Sequence, residues 1–295
     1  MLKLDWHEPK FISQRNFSIA SDTSTANLYI LRKKYNTEVA ELNGILFRRY
    51  NGSNLNRNGY GFPLSDKNFD LKAAIKLLKT DSVLRGENLR FCLCDEEQRA
   101  EIDKIISVNW NSFDGDSEYV YKREDFARLA GRKLRAKKNF FNRFMKTYPN
   151  AQFFQITTEH LPDAFKIAQQ WFAEKYKGEQ SFQSKLESIR ESCDNWKNLG
   201  LKGVIAYIGG EPAAMAFFSA VNTKCIVIYI VHAVPKFISS GIYPAIYRFI
   251  ASTEENSTYE YINLEEDLGF LNLRRSKEAY YPLFKIKKYY GEGFN

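Results

Sequence analysis

LKGVIAYIGGEPAAMAFFSAVNTKCIVIYIVHAVPKFISSGIYPAIYRFIASTEENSTYEYIN, residues 201–263, is the stretch that decides the fold. Residues 201–208, 212–221 and 224–231 are three apolar runs, and the dipeptides Gly209-Gly210 and Asn222-Thr223 join them too tightly for anything but antiparallel hairpins. The loop VPKFISSGIYP leads into a helix over 245–252, and 259–263 forms the next strand. Upstream, 152–157 reads as a strand. Leu161, Phe165, Ala168, Phe172 and Tyr176 then lay an apolar stripe along one helix, with Pro162 in its first turn. Leu186, Ile189, Cys193, Trp196 and Leu199 do the same for a second helix, which Gly200 ends. The order is helix, helix, three-strand meander, loop, helix, strand.

The first half alternates shorter pieces. Asp22 or Thr23 can cap a helix carrying Ala26, Tyr29 and Ile30, and 38–42 and 45–50 flank Asn43-Gly44, the strongest short-range hairpin signal. Residues 60–64 and 89–94 read as strands, 68–79 and 96–107 as helices, 109–117 as a polar turn-rich loop, and 118–121 as a strand.

Between the halves lies YVYKREDFARLAGRKLRAKKNFFNRFMKTYP, residues 119–149, with ten Lys/Arg against only Glu124 and Asp125. Its excess of eight equals the net +8 of the whole chain, so the remainder is neutral and the basic character is local. After Gly131 the period is helical. Leu134, Phe141, Met145 and Tyr148, with Phe140 and Phe144 beside them, make an apolar face, and Arg132, Arg135, Asn139, Arg143 and Lys146 make a second stripe with Lys133 and Lys137 next to it. Such a helix is either a solvated face whose long stems cover apolar surface or a binding surface for a polyanion: RNA phosphates, anionic lipid headgroups or a phosphorylated substrate.

At 295 residues, 44% apolar and 15% aromatic, the chain is globular and large enough for two modest domains. Cys92, Cys94, Cys193 and Cys225 show neither CxxC spacing nor a neighbouring His pair and read as reduced residues of a cytoplasmic protein. The opening MLKLDWHEPKF is too polar for a signal peptide, and no apolar run reaches the length of a membrane span, so any membrane contact is expected to be peripheral, at the inner face. No metal-ligand spacing, phosphate-binding Gly-rich loop or Gly-x-Ser-x-Gly elbow is present.

The element order of the second half resembles the core of the Gcn5-related N-acetyltransferase superfamily. There the loop after the fourth strand resembles V-x-P-x-[YF]-[RQ]-x-x-G-x-G/A and holds the coenzyme A pyrophosphate. Here Val234, Pro235, Phe237 and Gly241 match, whereas Ile238 stands at the basic or Gln position and Tyr243 at the second Gly. Coenzyme A use is therefore not expected, because a side chain at Tyr243 crowds a pyrophosphate.

A longer resemblance rests on STANLYILRKKYNTEVAELNG from Ser24, the 119–149 stretch, YINLEEDLGFLNLRRSK from Tyr261, and AYYPLFKIKKYY. Together these resemble the bacterial domain-of-unknown-function family related to the C-terminal domain of phosphatidylglycerol lysyltransferases, similar to tandem acetyltransferase-like proteins and akin to the peptidoglycan aminoacyl transferases. The resemblance implies an α/β (α+β) protein of two acetyltransferase-like domains, each a mixed, mainly antiparallel sheet flanked by helices. The expected division is 1–118, a basic connecting region 119–149, and 150–295 with the site. It further implies an acyltransferase with aminoacyl-tRNA as donor and a lipid headgroup, peptide or small amine as acceptor. Two departures stand out: Tyr229-Ile230-Val231-His232-Ala233 replaces Phe-Glu-Lys-Ala-Asp, and Leu264 replaces an Arg. A coenzyme A-dependent N-acyltransferase and a non-catalytic module docking on RNA or an anionic membrane remain as alternatives.

In such folds the cleft opens where the strands at 224–231 and 259–263 splay. Asp267 and Glu266 follow the second strand as candidate base or amine anchor, with Asn263 at the acceptor side, although Asp267 equally suits a helix cap. His232 is a further candidate base, since an unperturbed imidazole titrates near neutrality, although a lone His without visible partners more often fills a core position. Arg132, Lys133, Arg135, Lys137, Lys138, Asn142 and Arg143 are candidates for donor phosphates, and Arg274 and Lys277 for a phosphate or RNA 3′ end or, alternatively, for salt bridges to the nearby acids. Tyr280, Tyr281, Tyr289 and Tyr290 with Lys285, Lys287 and Lys288 suggest a single-strand clamp or, alternatively, a sheet edge.

Overall fold

A computed structural model describes residues 3–10, 18–177 and 182–294. In chain order its principal elements are α1 (Thr25–Tyr35), β1 (Glu38–Leu42), β2 (Ile45–Asn51), β3 (Asn58–Tyr60), α2 (Leu71–Leu84), β4 (Arg90–Cys94), α3 (Glu96–Asp103) and β5 (Val108–Ser112). There follow β6 (Glu118–Lys122), α4 (Arg123–Arg128), α5 (Arg135–Thr147), β7 (Gln152–Gln155), α6 (Leu161–Lys175), α7 (Gln183–Asp194), β8 (Lys202–Ile208), β9 (Glu211–Ala220) and β10 (Cys225–Ala233). The chain closes with α8 (Ile242–Ser252), β11 (Tyr261–Asn263), α9 (Leu271–Glu278), β12 (Phe284–Ile286) and β13 (Tyr289–Gly293). Among the described residues no helix is long and apolar enough to cross a membrane.

Two compact units form. Unit 1 comprises Met1–Glu118, Glu266–Leu271 and Lys285–Asn295, and unit 2 comprises Tyr119–Glu265 and Asn272–Phe284. In unit 1 the sheet order is β1-β2-β3-β4-β13-β5. The β1/β2 hairpin turns on Asn43 and Gly44, both at positive φ, as the dipeptide predicts. Asp70 caps α2 and Asp95 makes a capping box with Gln98 at α3. One apolar cluster centres on Phe47, Tyr60, Leu78 and Phe91, and a second, containing Leu28 of α1, on Tyr50, Leu46 and Cys92.

Three expectations shift. The strand expected at 60–64 is β3, which starts at Asn58 because Asn51 pairs with it, leaving only a bridge from Leu64 to Leu46. The loop expected at 109–117 contains β5, an edge strand that turns Val108 and Trp110 towards the core and Asn109 and Asn111 outward. The strand at 289–293, expected with the second half, lies inside the sheet of unit 1 between β4 and β5.

Unit 2 has the order β12-β6-β11-β10-β9-β8-β7. The β8-β9-β10 meander is antiparallel, and β10 then pairs in parallel with β11, with α6 packed on β9 and β10 and α8 packed on α4, α5 and β8. Parallel pairing lasts only from Cys225/Tyr261 to Val227/Asn263. Beyond it the register of β10 with β9 shifts between Ile228 and Ile230, a bulge that bends the strand at Tyr229.

The basic helix runs later than expected. Residues 131–134 form turns and α5 begins at Arg135, so its packed face centres on Phe144, which is fully buried with Leu134 above it, while Phe140 stays 42% exposed. Gly241, at φ 101°, opens α8 where α5 crosses it: a Cβ there would stand 2.3 Å from the carbonyl oxygen of Phe140. Gly241→Ala thus meets both left-handed strain and a fixed backbone atom, and is expected to cost about 2 kcal/mol or more in urea unfolding. A loss below about 0.5 kcal/mol would show that α5 yields freely at this crossing.

Candidate functional site

In unit 2 the splay of β10 from β11 begins after Val227, so the chain from Tyr229 to Ala233 has no ladder to β11. His232 lies on this part of β10. Its ring stacks on Trp171 of α6 at 4.1 Å and meets Phe172 edge-on at 5.3 Å, and its buried Nδ1 has no hydrogen-bond partner among the described residues. Burial, helped by the Lys175 ammonium, pushes the imidazole down to about 3. His232 is therefore neutral at physiological pH and a poor proton acceptor, which favours a packing role.

The loop corresponding to the coenzyme loop is a 3-10 turn, Pro235–Ser240, and α5 lies against it. Arg143 Nη2 donates to the Ser239 carbonyl at 3.1 Å, and the rings of Tyr148 and Phe237 meet edge-on at 5.6 Å. The Tyr243 hydroxyl accepts hydrogen bonds from the Trp171 indole and the Ala233 amide.

The opposite face of α5 carries the charge. Arg132, Lys133, Arg135, Lys138, Asn142 and Arg143 are all exposed, as is Lys146. Lys137 differs: it is half-buried with its ammonium 4.1 Å above the buried Tyr280 ring, and burial lowers its pKa. Lys133 reaches over Tyr281 at 5.7 Å. The candidates thus divide into an exposed crest and one packed lysine.

After β11 the chain is held in turns. Asn263 is buried and its Oδ1 accepts from the Glu265 amide at 2.8 Å, with Glu265 at positive φ. Lys277 is also buried, donating from Nζ to the carbonyls of Leu264 and Glu265, the latter at 3.0 Å. Its ammonium pins this turn, a structural task with no signal in the sequence. Arg274, on the same helix, is partly exposed.

Glu266 and Asp267 belong to unit 1. Asp267 is fully buried; its Oδ1 accepts from the Gly269 amide at 2.8 Å and its carbonyl from Phe270 at 3.0 Å, a side-chain-stabilised turn ahead of α9. Glu266 accepts from Arg57 Nη2 at 2.8 Å, and Asp116 lies 3.6 Å from the same nitrogen. Burial raises the Asp116 pKa despite Arg57. A second buried group stands in unit 1: Arg48 Nη1 donates to Asp22 at 2.6 Å, and Lys288 contacts Asp22 and lies 3.3 Å from Glu118. Arg57, Asp116, Arg48, Asp22 and Glu118 escape a sequence reading because their partners are up to hundreds of positions away. The clamp of four tyrosines and three lysines does not form: Tyr280, Tyr289 and Lys288 are buried, and Lys288 is ion-paired.

Comparison with known proteins places this geometry. No curated protein matches the chain. A conserved protein of unknown function from Bacteroides thetaiotaomicron is 24% identical with a TM-score of 0.90 over 99% of this chain and 100% of that one. L-PGS from Bacillus licheniformis is 15% identical, with a TM-score of 0.57 over 96% and 85%. FemX is 7% identical, with a TM-score of 0.59 over 90% of each. These likenesses show the fold: a tandem acetyltransferase-like protein of two mixed sheets flanked by helices. The family described as phosphatidylglycerol lysyltransferase, C-terminal, matches residues 16–291, and the chain belongs to that family.

Proposed function

We propose that the protein is an aminoacyltransferase that moves an amino acid from aminoacyl-tRNA to an amine or hydroxyl of a lipid headgroup, peptide or small molecule. The observation that carries this reading is the exposed cationic crest of α5 in a chain otherwise neutral, on a fold whose loop Pro235–Ser240 is contacted by Arg143 of α5. Arg132, Lys133, Arg135, Lys138, Asn142 and Arg143 contact donor phosphates, and Lys137 supports them from its seat on Tyr280. Coenzyme A has no part in this proposal: Tyr243 puts a bulky side chain where a pyrophosphate would need room, and Ile238 offers no charge to one.

In the reaction the acceptor heteroatom forms a bond to the ester carbonyl carbon, the bond to the tRNA ribose oxygen breaks, and that oxygen takes up the proton the acceptor loses. Such transfer needs positioning and donors for the developing oxyanion more than covalent catalysis. Glu266, already bonded to a guanidinium, is suited to orienting an ammonium group, and Asp267 is the remaining candidate for accepting the acceptor's proton.

The test incubates the protein with a pool of radiolabelled aminoacyl-tRNAs and a lipid-plus-metabolite extract. Label is expected to leave tRNA for a new product and to do so at least about 100-fold more slowly in Asp267→Asn. Asparagine still accepts from the Gly269 amide, so the turn survives and the loss reports the charge. If label stays on tRNA while the protein binds it, the aminoacyltransferase reading fails and a docking module takes its place.

A further inference from the structure

On the α1 side of the unit 1 sheet, at its β5 end, lies a cavity of about 290 Å³ lined by Arg90, Glu292, Asn109, Asn111, Tyr290 and Phe294, among others. Register builds it. Glu292 of β13 sits opposite Arg90 of β4 on one side and Asn109 of β5 on the other, and Tyr290 sits opposite Asn111. Gly59 lets β3 lie close against Arg90, since a Cβ there would come 2.7 Å from the Arg90 carbonyl oxygen.

The chemistry of this row is specific. Arg90 donates to Glu292 Oε2 from Nε at 3.1 Å and from Nη2 at 2.9 Å, and Asn88 donates to Oε1. The charges cancel, which disfavours a phosphate or a free cation as ligand. The carboxylate and guanidinium keep unused hydrogen-bonding positions. Among the described residues the side-chain amides of Asn109 and Asn111 have no protein partner, although asparagine is one of the residues strands least favour. Each amide offers adjacent donor and acceptor atoms, as vicinal hydroxyls require. Phe294, 57% exposed, and Tyr290 add ring faces that can cover apolar C–H surface.

We propose that this cavity binds a neutral polyhydroxylated ligand, a sugar ring or a close analogue, at a site of unit 1 that does not depend on the aminoacyl-transfer reading. Planar polar groups would hold the hydroxyls and the two rings would cover the ring carbons. The test is saturation-transfer NMR and calorimetry on the full chain with glucose, N-acetylglucosamine and glycerol, and with glucose 6-phosphate and inorganic phosphate as charged probes. At least one neutral sugar is expected to bind with a millimolar Kd, and Asn109→Ala with Asn111→Ala is expected to weaken it about tenfold or more. Both side chains point outward from an edge strand, so the double variant should fold, as an unchanged urea midpoint would show. Phe294→Ala, at an exposed position, is expected to weaken the same sugar. Absence of binding by every neutral sugar, tighter binding of the phosphates, or undiminished binding by the folded double variant would overturn the proposal.

Discussion

Lys288→Met is expected to destabilise unit 1 by about 3–5 kcal/mol, because it removes one partner from a buried ion cluster and leaves the others in place. The Lys288 and Asp22 side chains are 4% and 5% exposed, and Glu118 beside them is equally enclosed. Arg48 still pairs with Asp22 in the variant, whereas Glu118 is deprived of the Lys288 cation while its bond from the Ser21 amide persists. Burial pushes the Asp22 carboxyl up, and the Lys288 and Arg48 cations outweigh it, holding it below the usual carboxylate range. Burial likewise pushes the Lys288 ammonium down, and Asp22 and Glu118 outweigh that, raising it.

The two shifts set the pH dependence. Asp22, depressed in the fold, contributes stability that is present above its unfolded value of about 3.9 and is lost as pH falls below it. Lys288, raised in the fold, contributes stability that is complete below about 10.4 and is lost as pH rises further. Urea unfolding of the wild-type chain should therefore weaken at both ends of the pH range, and Lys288→Met should flatten both arms. A variant that loses less than about 1 kcal/mol, with both arms intact, would mean that the cluster is solvated in the native state.

The second large effect concerns α5. Reversing Arg135, Lys138 and Lys146 to Glu should lower affinity for tRNA by about 100-fold or more near physiological salt. It should also flatten the log–log salt dependence by about 0.7 to 0.9 for each phosphate that the helix no longer neutralises. All three side chains are exposed and none has an ion-pair partner among the described residues, so fold stability should hardly change. Lys137→Glu would be a different experiment, since it also disrupts packing on Tyr280. An unchanged slope in a folded triple variant would remove α5 from the polyanion interface.

Features built from neighbours in the chain were legible. Asn43-Gly44 announces its hairpin, and the meander of β8, β9 and β10 follows from the shortness of its two turns. The charge of α5 is plain in composition and so is most of its packed face, but the helix starts about one turn later than its pattern suggests, Lys137 lies on an aromatic ring and Phe140 does not bury. Long-range pairings left no local mark. The bond from Arg57 to Glu266 spans 209 positions and that from Lys288 to Asp22 spans 266, so nothing in the sequence pairs them. For His232 the residue type allows a base and its lack of visible partners favours the core; its neighbours Trp171 and Lys175 reveal an imidazole that stays neutral.

The position of β13 within its sheet bears on how the protein is made. Most of unit 1 leaves the ribosome before unit 2, yet the strand that separates β4 from β5 and carries Lys288 past the buried carboxylates is synthesised only after unit 2. At ordinary elongation rates that gap is on the order of ten seconds or more, during which β4 lacks a central neighbour and Asp22 lacks the Lys288 cation. Unit 2 has its meander and α8 available well before then. Translation order and folding order are thus expected to run opposite ways in this chain, with unit 1 waiting for a strand made after unit 2.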